Sequence, residues 1–167
     1  MGVVDTMRHD SVFSADSWGD RRVDVIGVGA TGSRVALGLA KLGIANIHVW
    51  DDDHVEPHNI ANQVYGLGDI RRLKVEAVAD LVKAQTGTVL SVHAARICGG
   101  EELGTAVFVL TDAMASRRAI FEGLKFKLAT QILIETRMGT DQGRVYAINP
   151  CDCAHIAAYE ETLYGDE

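Results

Sequence analysis

Long apolar runs are missing from this chain: none approaches the twenty or so residues that a membrane-spanning helix needs. Cysteine is scarce, three in 167 residues, an odd number that points to a reducing compartment rather than a disulfide framework. The N-terminus, with Asp5 and Asp10, lacks a signal-peptide pattern, so cytoplasm is the expected location. Positive charge is also in deficit. Sixteen Lys and Arg against 23 Asp and Glu leave a net −7, which argues against broad nucleic-acid binding or an anionic membrane surface. A local basic pocket stays compatible with that balance. No internal repeat or low-complexity tract divides the chain. What is present, 47% apolar and 23% charged residues, is a globular composition. The length is that of one domain, able to bury roughly two-thirds of its unfolded surface.

The chain is organised around residues 22–63. A short apolar strand over 23–28 breaks into Gly27-Val28-Gly29-Ala30-Thr31-Gly32. An alanine- and leucine-rich helix then runs to Leu42, and a second strand covers 47–50. Gly27 permits the tight turn out of the strand, Gly29 admits a phosphate to the backbone, and Gly32 lets helix and strand pack closely. The helix that begins near Thr31 offers unpaired N–H groups and a positive dipole end to an anion. Asp51 lies nineteen residues after Gly32, at the end of the second strand, where a carboxylate can accept hydrogen bonds from ribose hydroxyls. Strand, helix, strand and acid in register read as an adenine-nucleotide cradle. No Lys-Ser or Lys-Thr pair closes the glycine run, which excludes a P-loop.

Residues 1–22 read as a polar arm anchored by Arg8, Phe13 and Trp18, and residues 23–150 as a nucleotide-binding domain. Lys41 and Gly43 end the first helix. A second helix is expected from Lys74 to Gln85, with Val75, Val78, Ala79 and Val82 on one face and Gly87 beyond it. Residues 88–94 alternate like a half-covered strand. Residues 106–110 and 132–134 are continuous apolar runs of the central parallel kind. A helix over 115–128 separates them, and residues 144–148 alternate again. This order gives an α/β class: a doubly wound, mostly parallel Rossmann-like sheet with helices on both faces. Right-handed crossovers should bring four polar or glycine-rich strand endings to one edge: 27–32, 51–53, 111–112 and 135–139. Residues 151–167 read as the lead-in to a missing or reduced extension.

Lys74 opens a helix, a poor place for a cation unless a phosphate compensates it; the alternative is a solvated lysine in a basic cluster with Arg71 and Arg72. Asp112 ends a buried strand, where it either N-caps the next helix or holds Mg²⁺ against phosphate oxygens. Asn59 and Gln63 are neutral donors suited to phosphate oxygens. Together these favour a nucleoside triphosphate with metal over a dinucleotide. A transition-metal reading of Asp51, Asp52, Asp53, His54, Glu56 and His58 is disfavoured, because Pro57 prevents a regular helix that would align the histidines and no thiolate is near in sequence. Cys151 and Cys153 are too closely spaced for the usual zinc knuckle, so no structural zinc is expected. Cys98 has no neighbouring histidine pattern to make it a nucleophile.

On these residues the sequence resembles the ThiF/HesA/MoeB family, the nucleotide-binding fold of the ubiquitin-activating enzyme superfamily, over residues 8–150. Its most specific piece is Asp51-Asp52-Asp53-His54-Val55-Glu56-Pro57-His58-Asn59 with Gln63, which is similar to the family's Asp-x-Asp-x-Val-Glu-x-x-Asn-Leu-x-Arg-Gln run. Lys74 falls where the family carries its phosphate-binding lysine, and Thr111-Asp112 where it carries a metal- or adenylate-contacting aspartate. Arg8 is similar to an N-terminal arginine that the family inserts into the partner subunit's active site. The resemblance implies adenylation, with ATP and Mg²⁺, of the C-terminal carboxylate of a small ubiquitin-like or sulfur-carrier protein, releasing pyrophosphate. It implies a homodimer, while the charge balance argues against nucleic-acid and membrane partners and the cysteine count favours the cytoplasm. By resemblance Lys74, Asp112 and Arg8 are catalytic, with Asp112 on Mg²⁺. Gly27, Gly29, Ala30, Thr31, Gly32, Asp51, Asp53, Asn59, Asn62, Gln63 and Lys74 surround the nucleotide.

Two departures stand out. Asn62 occupies the place of a family arginine, with Arg71 or Arg72 as candidate replacements. The chain also ends at Glu167, before the family's catalytic cysteine and a second CxxC, so a truncated or minimal adenylating domain is expected. The rival readings are an NAD-dependent Rossmann oxidoreductase and a catalytically silent nucleotide-binding or partner-docking module. The first shares the cradle and Asp51, but gives no reason for Lys74 and Asp112 to line the cleft.

Overall fold

The computed structural model describes residues 4–165, so residues 1–3 of the expected arm and 166–167 of the C-terminal segment lie outside the described residues. Six strands form one sheet: β1 (Val23–Ile26), β2 (Ile47–Trp50), β3 (Ser91–His93), β4 (Ala106–Val109), β5 (Ile132–Met138) and β6 (Gly143–Ile148). Their order is β3-β2-β1-β4-β5-β6, parallel throughout except for the antiparallel β5–β6 pair. Strand order reverses between β1 and β4, which makes the crevice beyond their carboxyl ends the natural ligand position.

Side chains alternate across the strands, so each face has its own core. Val23, Val25 and Val49 meet Ala36, Leu39 and Ala40 of α2 (Gly32–Lys41) and Val75, Val78 and Val82 of α3 (Lys74–Thr86). Ile26, Val107, Val109 and Leu133 meet Ile120, Phe121 and Leu124 of α4 (Met114–Leu124) and Ile156 and Tyr159 of α5 (Cys153–Glu160). Helices therefore cover both faces, as the doubly wound pattern requires. Gly87 ends α3 with φ 74°, and its N–H donates to the Lys83 carbonyl, the C-terminal arrangement that glycine favours. Short α1 (Ala15–Trp18) precedes the sheet, with Phe13 and Trp18 packed on the first core. No helix of the described residues is long and apolar enough to cross a membrane.

Three elements differ from expectation by more than two residues at one end. The strand expected over 88–94 shrinks to Ser91–His93: it is an edge strand, paired through β2's His48–Trp50 alone, and Leu90 turns into the core instead. The helix expected to reach 128 stops at Leu124, where the Pro150 carbonyl captures the N–H of Phe126, a residue held at φ 61°. Strand β5 does not stop at Ile134. It continues to Met138 because β6 supplies antiparallel partners for Glu135 through Met138. Glu135 consequently points into the second core, wholly buried, rather than toward the crevice.

Candidate functional site

At the switch point a cavity of about 350 Å³ opens between the ends of β1, β2, β4 and β5. Gly27, Gly29, Ala30, Thr31, Asp51, Asp53, Gln63, Lys74 and Asp112 line it, joined by Leu110, Thr111, Arg117, Thr136 and Met138. Residues from distant parts of the chain thus share one wall, as parallel strands with right-handed crossovers dictate.

The glycine turn sets the cavity's floor. Gly27 sits at φ 85°, and a Cβ there would meet the Leu110 carbonyl oxygen at 2.9 Å. A Cβ on Gly32 would lie 1.8 Å from the Gly27 carbonyl oxygen, so Gly32 permits the strand–helix approach without itself lining the cavity. A Cβ on Gly29 would meet nothing nearer than the Gln63 amide nitrogen at 4.0 Å, leaving this backbone open to a ligand.

Asp51 braces the turn. Its Oδ2 accepts from the Val28 N–H at 2.8 Å and its Oδ1 from the Asp53 N–H at 2.9 Å. Burial pushes its carboxyl above the usual aspartate range, against the pull of those two amides and of the Lys74 charge. Behind it, the buried Tyr65 hydroxyl donates to the Val28 carbonyl at 2.6 Å and lies 3.3 Å from the Lys74 carbonyl, tying the turn to the start of α3.

Lys74 reaches the cavity through a local backbone ladder. The Lys74 N–H donates to the Asp53 carbonyl and the Val55 N–H to the Arg72 carbonyl, with His54 opposite Leu73. Its ammonium then meets Asp53 Oδ2 at 2.7 Å. The charge that a cation at a helix N-terminus calls for is therefore supplied by Asp53 within the protein, so helix position alone does not demand a phosphate. The basic-cluster alternative fails as well, since Lys74 is buried and paired. Asp112 is exposed at the cavity wall, and the N-cap position of α4 falls one residue later, on Ala113.

Other expected residues stand elsewhere. The Asn59 side chain is buried, accepting from the Glu56 N–H at 2.9 Å as a local cap of the 3₁₀ turn Pro57–Ala61. Asn62 is exposed, and Asn59, Asn62 and Gly32 do not line the cavity, while Arg8, expected in a partner subunit's site, is exposed in the N-terminal segment. Neither candidate replacement for the absent arginine reaches in. Arg72 is held by Asp69 at 3.0 Å and Asp80 at 2.5 Å, while Arg71 borders a separate depression beside His54 and Pro57.

Sequence reasoning missed Arg117. It lines the cavity, its guanidinium bound to Glu135 at 2.5 Å and to the Thr111 and Thr136 carbonyls. Its signal was a charge on the buried stripe of α4, in register with Met114, Ile120, Phe121 and Leu124. Arg137 also binds Glu135, at 2.5 Å, and the Tyr159 hydroxyl completes that carboxylate's shell. Burial alone would raise Glu135, but these hydrogen bonds and the two guanidinium charges outweigh it and hold the carboxyl below its usual range.

Two side chains of the cavity keep polar atoms available to a ligand. Among the described residues Gln63 Oε1 and Thr111 Oγ1 are buried without a hydrogen-bond partner, and both residues line it. Such orphaned groups are uncommon in folded proteins away from ligand sites. Exposed backbone at Gly29, carboxylates at Asp51 and Asp112, and an ammonium at Lys74 suit a phosphorylated nucleotide with a hard divalent cation.

Comparison with known proteins agrees with this architecture. Structures of Escherichia coli MccB with AMPCPP and MccA superimpose with a TM-score of 0.69 at 20% identity, over 88% of this chain and 48% of that one. The E. coli tRNA N6-threonylcarbamoyladenosine dehydratase TcdA, in complex with ATP, gives 0.63 at 20% identity, over 70% of this chain and 52% of that one. The chain therefore spans about half the length of these solved relatives. The uncharacterized protein y4qC of Sinorhizobium fredii strain NGR234 is 34% identical over 74 residues, 44% of this chain and 13% of that protein. The sequence model of the ThiF family matches residues 11–155, and on that match the chain belongs to the ThiF family.

Proposed function

We propose that this domain binds ATP with Mg²⁺ and adenylates a carboxylate, the C-terminus of a small ubiquitin-like or sulfur-carrier protein. The observation that carries the reading is the single cavity shared by Gly29, Asp51, Gln63, Lys74 and Asp112, with Gln63 Oε1 and Thr111 Oγ1 unpartnered. The relatives support it: MccB was captured with AMPCPP and MccA, and TcdA with ATP.

In this reading Asp51 takes the ribose hydroxyls with the lone pairs its two backbone contacts leave free, and phosphate meets the turn beyond Val28, since the Gly27 and Val28 N–H groups already donate to Trp50 and Asp51. Lys74, steadied by Asp53, neutralises charge that grows on the phosphates. Asp112 would hold Mg²⁺, which supplies charge neutralisation across the phosphate oxygens when bound. A substrate carboxylate oxygen attacks the α-phosphorus, a new P–O bond forms, and the bond to the bridging oxygen breaks. The electron pair leaves with pyrophosphate, giving an acyl adenylate. The protein's share is positioning and electrostatics, effects that act most strongly in a site shielded from water.

The test is ATP–pyrophosphate exchange with candidate carrier proteins, alongside calorimetric titration with ATP–Mg²⁺ and with NAD. ATP binding and carrier-dependent exchange are expected. Binding of NAD without ATP would replace this reading by the oxidoreductase, and ATP binding without exchange for any carrier would leave the silent module.

A further inference from the structure

The cavity wall holds three carboxylates, Asp51, Asp53 and Asp112, against two cations, Lys74 and Arg117. Both cations are already committed, Lys74 to Asp53 and Arg117 to Glu135. A polyanion entering this wall meets a net negative lining, and one divalent cation does not balance a triphosphate. A further positive charge is needed, and it must come from beside the wall.

Arg34 is that charge. It stands in the first turn of α2, exposed, and no carboxylate among the described residues pairs with it. Its Nη1 donates to the Ala30 carbonyl at 2.6 Å and to the Asn62 carbonyl at 2.7 Å. It thereby bridges the glycine turn and the segment that carries Gln63, two sides of the same cavity. The Ala30 contact also orients a peptide plane: in a trans peptide the C=O and the following N–H point opposite ways. With the Ala30 carbonyl turned out to Arg34, the Thr31 N–H is turned the other way, at the N-terminal end of the α2 dipole.

We propose that Arg34 recognises the polyphosphate tail of the bound nucleotide, its uncommitted guanidinium closing the outer rim of the glycine turn over the terminal phosphates. A fork of five N–H donors with only Nη1 engaged keeps donors for phosphate oxygens while the clamp on Ala30 and Asn62 holds. Adenosine and the first phosphate sit deeper, against Asp51 and the strand ends, beyond this rim. Arg34 therefore discriminates a nucleoside triphosphate from a monophosphate. This rests on the adenylation reading for its ligand, but its probe does not.

The experiment titrates wild type, Arg34→Ala and Arg34→Lys with inorganic tripolyphosphate–Mg²⁺, ATP–Mg²⁺ and AMP by calorimetry, with thermal melts confirming an unchanged fold at this exposed position. Arg34→Ala is expected to weaken tripolyphosphate and ATP by about tenfold and AMP by less than about twofold, with Arg34→Lys recovering part of the loss. Asn62→Arg in the Arg34→Ala background should restore ATP affinity, since position 62 borders the same rim. Equal losses of ATP and AMP would mean a clamp without phosphate recognition and would overturn the proposal, as would wild-type affinity for tripolyphosphate in Arg34→Ala. Arg34-dependent tripolyphosphate binding without pyrophosphate exchange keeps Arg34's role and removes the adenylation reading. Exchange indifferent to Arg34 does the reverse.

Discussion

Replacing Glu135 by glutamine probes the hub that joins the cavity to the second core. Its carboxylate is wholly buried and takes Arg117 at 2.5 Å, Arg137 at 2.5 Å and the Tyr159 hydroxyl. The two arginine side chains are only 7% and 9% exposed, so water cannot replace the lost charge. Breaking a buried pair by removing one partner costs about 3–5 kcal/mol, because an uncompensated charge is left behind. Here two guanidiniums lose one anion, although the carbonyls of Thr111, Thr136 and Thr162 still accept from them. The expected loss is therefore about 3 kcal/mol, a large part of the roughly 5–15 kcal/mol that stabilises a domain. With a urea slope of about 1–3 kcal/mol per molar, the midpoint should fall by about 1–3 M. The effect has a pH signature. The folded carboxyl lies below the ordinary value of 4.5, so its stabilisation is complete above that pH and is lost as pH falls through the folded value. The gap between wild type and Glu135→Gln should thus close on acidification below pH 4.5. A midpoint shift under about 0.3 M, or one that stays constant with pH, would refute the ionic account of this hub.

Lys74→Ala and Asp112→Ala should each slow adenylate formation by about tenfold or more, read as kcat/KM in pyrophosphate exchange. Their urea midpoints should stay near wild type, since Asp53 is 57% exposed and hydrates when Lys74 is removed. Wild-type rates in both variants would assign these residues no part in the chemistry. Gly32→Ala places a Cβ 1.8 Å from the Gly27 carbonyl oxygen and should cost at least about 1–3 kcal/mol, together with nucleotide affinity. An unchanged melting temperature and unchanged ATP titration would contradict the close strand–helix contact.

Much of the site was legible because its signals are local. The Gly27–Gly32 turn, the following helix and Asp51 at the end of β2 form one continuous run, and the apolar segments at 106–110 and 132–134 mark central strands by composition alone. Topology did the rest, carrying Lys74 and Asp112 to the same cavity. Most of the illegible features are settled by partners far along the chain. Glu135 and Arg137 read as a polar strand ending, yet Arg117 from α4 and Tyr159 from α5 make burial tolerable for both, and β6 extends their strand. A cation opening a helix reads as calling for phosphate, but Asp53 meets the Lys74 ammonium at 2.7 Å. Asn59 read as a ligand donor, but its own turn claims its side chain, a competition usual for short amide residues.

The most direct measurement is a crystal structure determined with ATP and Mg²⁺ bound. Ribose hydroxyls are expected on Asp51, phosphates between Gly29 and Lys74 with Arg34 at the outer rim, and the metal on Asp112. Nucleotide bound away from this cavity, or phosphates that leave Lys74 and Asp112 untouched, would contradict this placement.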